Sequence, residues 1–358
     1  MKLEEFARES RATHKGDKSG VPIVGLEHLI PQEIKFSGYD VDTENTFTKT
    51  FKKGQILFGR RRAYLKKAAI ADFDGICSGD ITVIEAIPGK VDPLLLPFII
   101  QNDNFFDYAV SRSAGGLSPR VKWEHLKDYE FDLPPIEEQR MLADKLWAAY
   151  RLKESYKKLL TATQEMVKSQ FIEMISTAPT TKRKIGDIAK VTTGSTPSRN
   201  ISAYWENGTF PWVSAQDMGD KYVTDTIEKV TKEGYATCKV IPAGSVLYVC
   251  RGSIGVMSIN KIDCATNQSI CTATCFKECD NEYLYYSLLY SEKDIKKQGT
   301  GTSFKSLNQS SFSAIEVNLP DIDIQRDFLK IAEQADKSEF ELRKSIDAID
   351  QVIKSLIN

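Results

Sequence analysis

Between Asn45 and Ala71 the chain carries Lys49, Lys52, Lys53, Arg60, Arg61, Arg62, Lys66 and Lys67 with no acid among them, interleaved with Phe47, Phe51, Phe58 and Tyr64. Ammonium and guanidinium groups of this density neutralise phosphates, and an arginine fork also matches the edge of guanine. A solvated basic face would have the same composition. Against that bland reading, an arginine recurs at Arg251, on the strand-to-loop transition of a second, similar stretch that continues to Ser253. Lys52, Lys53, Arg60, Arg61, Arg62, Tyr64, Lys66, Lys67, Arg251 and Ser253 are therefore the first candidates for contact with a polyanion.

Other segments suit the same chemistry. "TTGSTPSRNISAYW" from Thr192 offers hydroxyls, backbone N–H groups and Arg199; Thr196 and Arg199 are its candidate phosphate contacts. "WVSAQDM" from Trp212 presents Gln216 and Asp217, side chains of the kinds that pair with adenine and cytosine edges. "SAGGLSPRVKW" and "QGTGTSFKSLN" each set a Gly-rich turn before a basic residue, Arg120 or Lys305. A plain turn is the readier explanation of both.

Catalytic constellations are missing from the sequence. There is no G-x-S-x-G elbow, H-E-x-x-H helix or Walker A loop. "FDLPPI" from Phe131 has leucine and isoleucine where an adenine methyltransferase needs an Asx grip and an aromatic stack. Cys264, Cys271, Cys275 and Cys279 lack the Cys-x-x-Cys pairs of most zinc sites, and "SICTATCF" alternates as a strand with inward thiols would. We assign no catalytic residue and no metal ligands, and expect this chain to bind no cofactor itself.

The bulk numbers agree. A chain of 358 residues has room for two domains, and 41% hydrophobic and 27% charged residues are ordinary for a globular protein. A formal net charge of −1 excludes nothing, so local distribution must decide the partner. With no apolar leader in "MKLEEFARES", we expect a cytoplasmic protein with reduced thiols and no membrane contact.

The elements that position the candidates occur twice. "KKGQILFGRRRAYL" from Lys52 parallels "PAGSVLYVCRGSIG" from Pro242, aligning Gly54 with Gly244 and Arg61 with Arg251. "VPIVGLEHL" from Val21 parallels "FPWVSAQDM" from Phe210, and "CSGDITVIEA" from Cys77 parallels "ATNQSICTAT" from Ala265. The offset drifts only from about 190 to about 186 positions, a domain duplication rather than a solenoid of ~20–50-residue repeats. Each copy mixes short β-rich runs with an apolar helical stretch, "LLLPFIIQNDNFFDYAV" or "NEYLYYSLLYSEKDIKK". The fold expected is α+β: globules with β-rich cores over 1–136 and 179–320, and long helices over 137–178 and 321–358.

Both helices open on the same phrase, "LPPIEEQR" from Leu133 and "LPDIDIQR" from Leu319. In the second, Ile324, Ile331, Ser338, Ser345 and Val352 recur every seven residues beside Phe328, Ala335, Leu342, Ile349 and Leu356. The first is looser, with Leu142, Leu146, Ala149, Leu152, Tyr156, Leu159, Leu160, Val167 and Ile175. A helix of about 40 residues spans ~60 Å, and two such helices are expected to pair antiparallel as an imperfect coiled coil.

These junction phrases, together with "IGDIAKVTTGSTPSRNISAYWENGTFPWVSAQDM" from Ile185, resemble the specificity subunits of type I restriction–modification systems over nearly the whole chain. The first half departs from the pattern, since "FARESRATHKGDKSGVPIVGLEHL" from Phe6 lacks the Gly-x-Thr-Pro element. The resemblance implies a non-catalytic subunit that binds double-stranded DNA, with each globule reading half of a bipartite target. It also implies helices that set the unread spacer. As partners it implies two methyltransferase subunits bringing S-adenosylmethionine and two translocase–nuclease subunits using ATP and Mg2+. The competing expectation is a coiled-coil scaffold whose globules bind protein.

Overall fold

The computed structural model describes residues 1–291 and 307–357. It divides into two compact units, Met1–Leu159 with Leu342–Asn358, and Leu160–Glu341. Each unit thus takes in a stretch of both long helices.

In the first unit a four-stranded antiparallel sheet runs in the order Ala7–Ser10, Ile81–Ala86, Ile56–Gly59, Ala68–Ile70. Successive side chains of a strand point to opposite faces, and here both faces are covered. Ile56, Phe58, Ala68 and Ile84 enter one apolar core, while Leu57, Ala69, Ile81 and Val83 enter another. The first core is closed by the helix Asp103–Ser111, whose Phe105 and Phe106 pack on Phe58 with ring centroids 5.5 Å away. The continuous helix expected over this apolar stretch is broken in two, Leu96–Ile100 and Asp103–Ser111. Asn102 makes the break: its side chain accepts the Asn104 N–H at 2.7 Å, an N-cap that competes with helix continuation. A smaller sheet orders Ile23–Val24, Gly75–Cys77 and Lys49–Phe51.

The second unit rebuilds the same frame. Its larger sheet orders Tyr222–Val223, Met257–Asn260, Val246–Val249, Ile270–Cys275 and Ala189–Thr193. The alternation repeats, with Val246, Tyr248 and Cys250 in one core and Leu247 and Val249 in the other. Cys271 points into the first of these, as the alternation of its strand requires. Turn for turn the copies match. Gly54 and Gly244 both take φ +88°, a left-handed conformation that favours glycine. The N–H before each donates 2.8 Å to an aspartate, Lys53 to Asp74 and Ala243 to Asp263.

The long helices are Ile136–Thr177 and Ile322–Ile357. In the second unit Gln164 donates to Glu339 at 3.0 Å and Phe171 packs on Phe328, so numbers rise on one helix as they fall on the other: an antiparallel pair. In the first unit Lys153 donates to Asp350 at 2.7 Å. The buried stripe keeps the heptad spacing expected but only part of its register. Gln139, Ala143, Leu146, Tyr150 and Lys153 are buried on one helix, and Gln325, Phe328, Ala332 and Ala335 on the other. Leu152, Leu159, Ile331 and Val352, all assigned to the apolar seams, are exposed. The buried stripes keep a seven-residue recurrence, Gln139, Leu146 and Lys153 beside Ala143 and Tyr150, but on a register only partly the one expected: Phe328 and Ala335 lie in an expected seam, whereas Gln325 and Ala332 are buried in place of Ile324 and Ile331.

The shared junction phrase has a structural cause. Gln139 and Gln325 are buried, and each side chain staples its helix to the preceding domain. Gln139 donates to the Pro134 carbonyl at 2.9 Å and accepts the Asp92 N–H at 2.8 Å. Gln325 donates to Pro320 at 2.8 Å and to Glu278 at 2.9 Å, and accepts the Asp280 N–H at 2.9 Å.

The C-terminal helix is further tied to the second unit by Lys221. Its ammonium donates to Asp336 at 2.5 Å, Tyr286 at 3.0 Å and Glu282 at 3.2 Å, and lies 4.5 Å from the Tyr286 ring centre. Burial opposes both charges. Even so, the hydrogen bonds to its partners raise the Lys221 ammonium above its ordinary value, and Lys221 holds the Glu282 carboxyl below its own. A depressed carboxyl stabilises the fold fully above its unfolded value and loses that contribution as pH falls through the folded one. Lys221→Met is therefore expected to cost about 3 kcal/mol at neutral pH. The cost should shrink on acidification as Glu282 protonates. Urea unfolding at neutral and acid pH measures this, and a pH-independent cost would contradict it.

Candidate nucleic-acid interface

The strand Ile56–Gly59 separates the basic run into two ends. Lys52 and Lys53, both exposed, sit at the turn before it, and Arg60, Arg61 and Arg62 follow its last residue. At ~3.3 Å per residue the two sets lie ~13 Å or more apart along the strand. Lys66 and Lys67 take structural work: Lys66 pairs with Asp103 at 2.6 Å, and the half-buried Lys67 donates to the Leu26 carbonyl at 2.7 Å. Lys49 likewise donates to the Ile81 carbonyl at 2.6 Å, and burial lowers its pKa. Arg62 and Lys66 both hold positive φ, 54° and 51°, bracketing the short 3-10 turn that exposes Tyr64.

The arginine end is built around Asp80. Its two carboxylate oxygens receive Arg120 Nε at 2.6 Å and Nη2 at 3.1 Å, and Arg61 Nη1 lies 3.5 Å away. The Arg120 hydrogen bonds hold the Asp80 carboxyl below its usual value. Arg61 Nη2 also donates to Ser118 Oγ at 3.1 Å, while the Nε atoms of Arg60 and Arg61 are buried with no hydrogen-bond partner among the described residues. Beside them opens a cleft of about 710 Å3 of mixed charge, where Arg11, Lys49, Arg60 and Lys122 stand with Glu9, Asp80 and Glu124 around Phe47 and Trp123. Bidentate capture by one carboxylate pre-orders guanidinium groups that would otherwise lose rotamer freedom on binding.

The second unit frames Arg251 in the same way. The N–H of Arg60 donates to Asp80 O and the Val121 N–H donates to Arg60 O, both at 3.0 Å. The corresponding bonds run from Cys250 to Ser269 O at 2.7 Å and from Leu307 to Cys250 O at 2.8 Å. Arg61 and Arg251 are therefore equivalent, each two residues beyond its strand. Their surroundings differ, because serine stands at 269 where the first copy has Asp80. Arg251 and Ser253 are exposed. Lys305 and the Gly-rich turn before it lie outside the described residues.

The remaining candidates are used unevenly. Arg199 is pinned: its guanidinium makes a bidentate pair with Glu228 at 2.6 and 2.8 Å and lies 3.6 Å from the Trp205 ring centre. Thr196 bonds Gln268, and a Cβ at the preceding Gly194 would sit 2.1 Å from the Thr266 carbonyl, so the Gly-x-Thr-Pro element serves close backbone packing. Gln216 is exposed on a one-turn 3-10 helix, Ala215–Asp217. Asp217 is a correction to the base-reader expectation. One of its oxygens accepts the Ser214 N–H and hydroxyl at 2.8 and 2.9 Å, and the other accepts the Ile227 N–H at 2.6 Å, so it caps the turn. Asp80, Ser118, Lys122 and Trp123 escaped the sequence reading. The signal for Asp80 was an acid in "CSGDITVIEA" with none in "ATNQSICTAT".

Burial pushes the thiols of Cys77 and Cys264 up to about 12, so both stay protonated and inert at neutral pH. Among the described residues no helix is long and apolar enough to cross a membrane.

Comparison with known proteins bears on both copies. The family described as "Type I restriction modification DNA specificity domain" matches residues 8–162 and again 179–351. A curated relative, the specificity subunit of type I restriction enzyme EcoR124I/EcoR124II from Escherichia coli, is 29% identical over 43% of this chain and 40% of its own length. The MjaIX specificity subunit of Methanocaldococcus jannaschii is 31% identical over 38% of this chain and 33% of its own. The chain thus matches well under half the length of these two relatives. The putative MjaX specificity subunit of the same organism matches 99% of this chain and 90% of its own length at 23% identity. Among solved structures, the type I restriction–modification S subunit from M. genitalium shares the fold with a TM-score of 0.61 at 15% identity, over 100% of this chain and 95% of that one. A chain of a type I restriction–modification assembly gives 0.55 at 19% identity, over 100% and 98%. This protein belongs to the type I restriction modification DNA specificity family and carries the family's domain twice.

Proposed function

We propose that the chain is the DNA-reading subunit of a type I restriction–modification complex, one domain to each half of a bipartite target. The observation that carries this is the equivalence of Arg61 and Arg251. An arginine stands at the same place on two copies of a DNA specificity domain, framed by the same backbone hydrogen bonds. In the first copy the Asp80–Arg120 pair holds a guanidinium ready for phosphates and base edges, beside a cleft whose basic side chains are mixed with acids. The chain acts without catalysis of its own. Methyltransferase subunits, two to match the duplication, bring S-adenosylmethionine, and translocase–nuclease subunits bring ATP and Mg2+. A helix of 42 residues is ~63 Å long, enough to set an unread spacer of one or more groove repeats of ~34 Å.

Co-expression with the cognate methyltransferase, followed by methylation-sensitive sequencing, is expected to show adenine methylation in a two-part motif. Binding to that duplex should weaken linearly in log Kd against log salt, with a slope near the number of phosphates neutralised. A contiguous methylated motif would overturn the division between domains. A flat salt response would favour the protein-binding scaffold.

A further inference from the structure

The loop Ser113–Arg120 carries an unusual tip. Leu117 is 96% exposed, the highest value among the large apolar side chains of the described residues. A lone surface leucine needs no explanation on a floppy loop, but this one is held out from beneath. Ala114 and Arg120 exchange both backbone hydrogen bonds at 2.9 Å, and Arg62 N–H donates to the Pro119 carbonyl at 2.8 Å. Arg61 Nη2 grips Ser118 Oγ, and Asp80 clamps Arg120 through both carboxylate oxygens. The residues that tie down the loop are the same arginines assigned to DNA. The base of the loop carries a small excess of positive charge: Arg61 and Arg120 share the single carboxylate of Asp80, and Arg112 and Lys122 flank the loop inside Asp107 and Glu124. An apolar tip on a rigid, cationic base suits a polyanion with an apolar interior.

We propose that Leu117 makes a direct apolar contact with a base in the half-site read by the first domain. The contact is made either against a thymine methyl or by entering the base stack, with Asp80 and Ser118 as positioning residues. This rests on the chain being a DNA reader. Leucine in such a contact trades water for base surface, and its removal is expected to weaken binding roughly 10- to 100-fold.

The test uses the full chain and duplexes enriched by it from a random library, with Kd read by fluorescence anisotropy. Leu117→Ser should weaken binding by that factor and broaden the sequence preference in the first half-site alone, while Leu117→Met restores both. The side chain is exposed, so the fold does not depend on it, and thermal unfolding should be unchanged. If uracil in place of thymine weakens the wild type but not Leu117→Ser, the contact is the methyl group. If that exchange is neutral and 2-aminopurine brightens only with wild type, the leucine enters the stack. Equal affinity and equal half-site preference for wild type and Leu117→Ser would overturn the proposal while leaving the DNA-reading function intact. Failure of the wild type to enrich any sequence would sink both.

Discussion

Replacing Arg61 by alanine is expected to relax or abolish recognition of one half of the target, and replacing Arg251 to do the same to the other half only. Each loss should be about 1–3 kcal/mol, on the order of 10- to 100-fold in affinity, if the guanidinium bonds a guanine edge. The two substitutions should also differ in kind. Arg61 is tied to Ser118 and lies 3.5 Å from Asp80, so Arg61→Ala removes a pre-ordered group and loosens the loop that carries Leu117. Arg251 follows a strand whose neighbour offers Ser269 in place of an acid, so the carboxylate that stands beside Arg61 has no counterpart at that position. Arg61→Lys, which keeps the charge but not the fork, should restore the salt slope without restoring selectivity. Sequencing of bound or methylated sites for each variant reads the result. Equal loss at both half-sites from either substitution would contradict independent readers.

The second large effect is expected at the junctions. Gln325→Ala leaves the Asp280 N–H and the Pro320 and Glu278 carbonyls without their partner at a fully buried site. Each buried group left unpaired costs about 1–3 kcal/mol, so a total near 3–5 kcal/mol is expected. Gln139→Ala strips only the Asp92 N–H and the Pro134 carbonyl, and should cost less. Gln325→Glu would set a carboxylate against the Glu278 and Pro320 carbonyl oxygens at a buried site, and should cost at least as much as alanine. Urea unfolding of the full chain orders the variants. A Gln139 variant less stable than its Gln325 counterpart would show that counting hydrogen bonds misjudges the site.

The duplicated domain was legible because its signals are local or periodic. "QILFG", "ITVIEA" and "SVLYVC" form strands, since alternating side chains fill two cores in each copy. The long helices were legible from unbroken runs free of proline and glycine. The same reading placed Leu146, Phe328 and Ala335 on the buried face but misplaced others. Leu152 and Val352 satisfy a seven-residue spacing, but apolar type alone does not say which neighbour a stripe will meet. The break at Asn102 was missed because one side-chain cap outweighed a strongly apolar stretch.

The sequence by itself determined that a domain and a helix occur twice, that the same glutamine opens both helices, and that an arginine recurs beyond matching strands. Only the tertiary structure decided which basic residues stay available. It sent Lys66 to Asp103 and Lys67 to a backbone carbonyl, gave Asp217 to a turn, and gathered Arg61, Arg120 and Ser118 around Asp80. Strand spacing and hydrophobic period are written in neighbouring residues. The partner of a charge is set by side chains brought together from distant parts of the chain, and composition within a window carries no record of them.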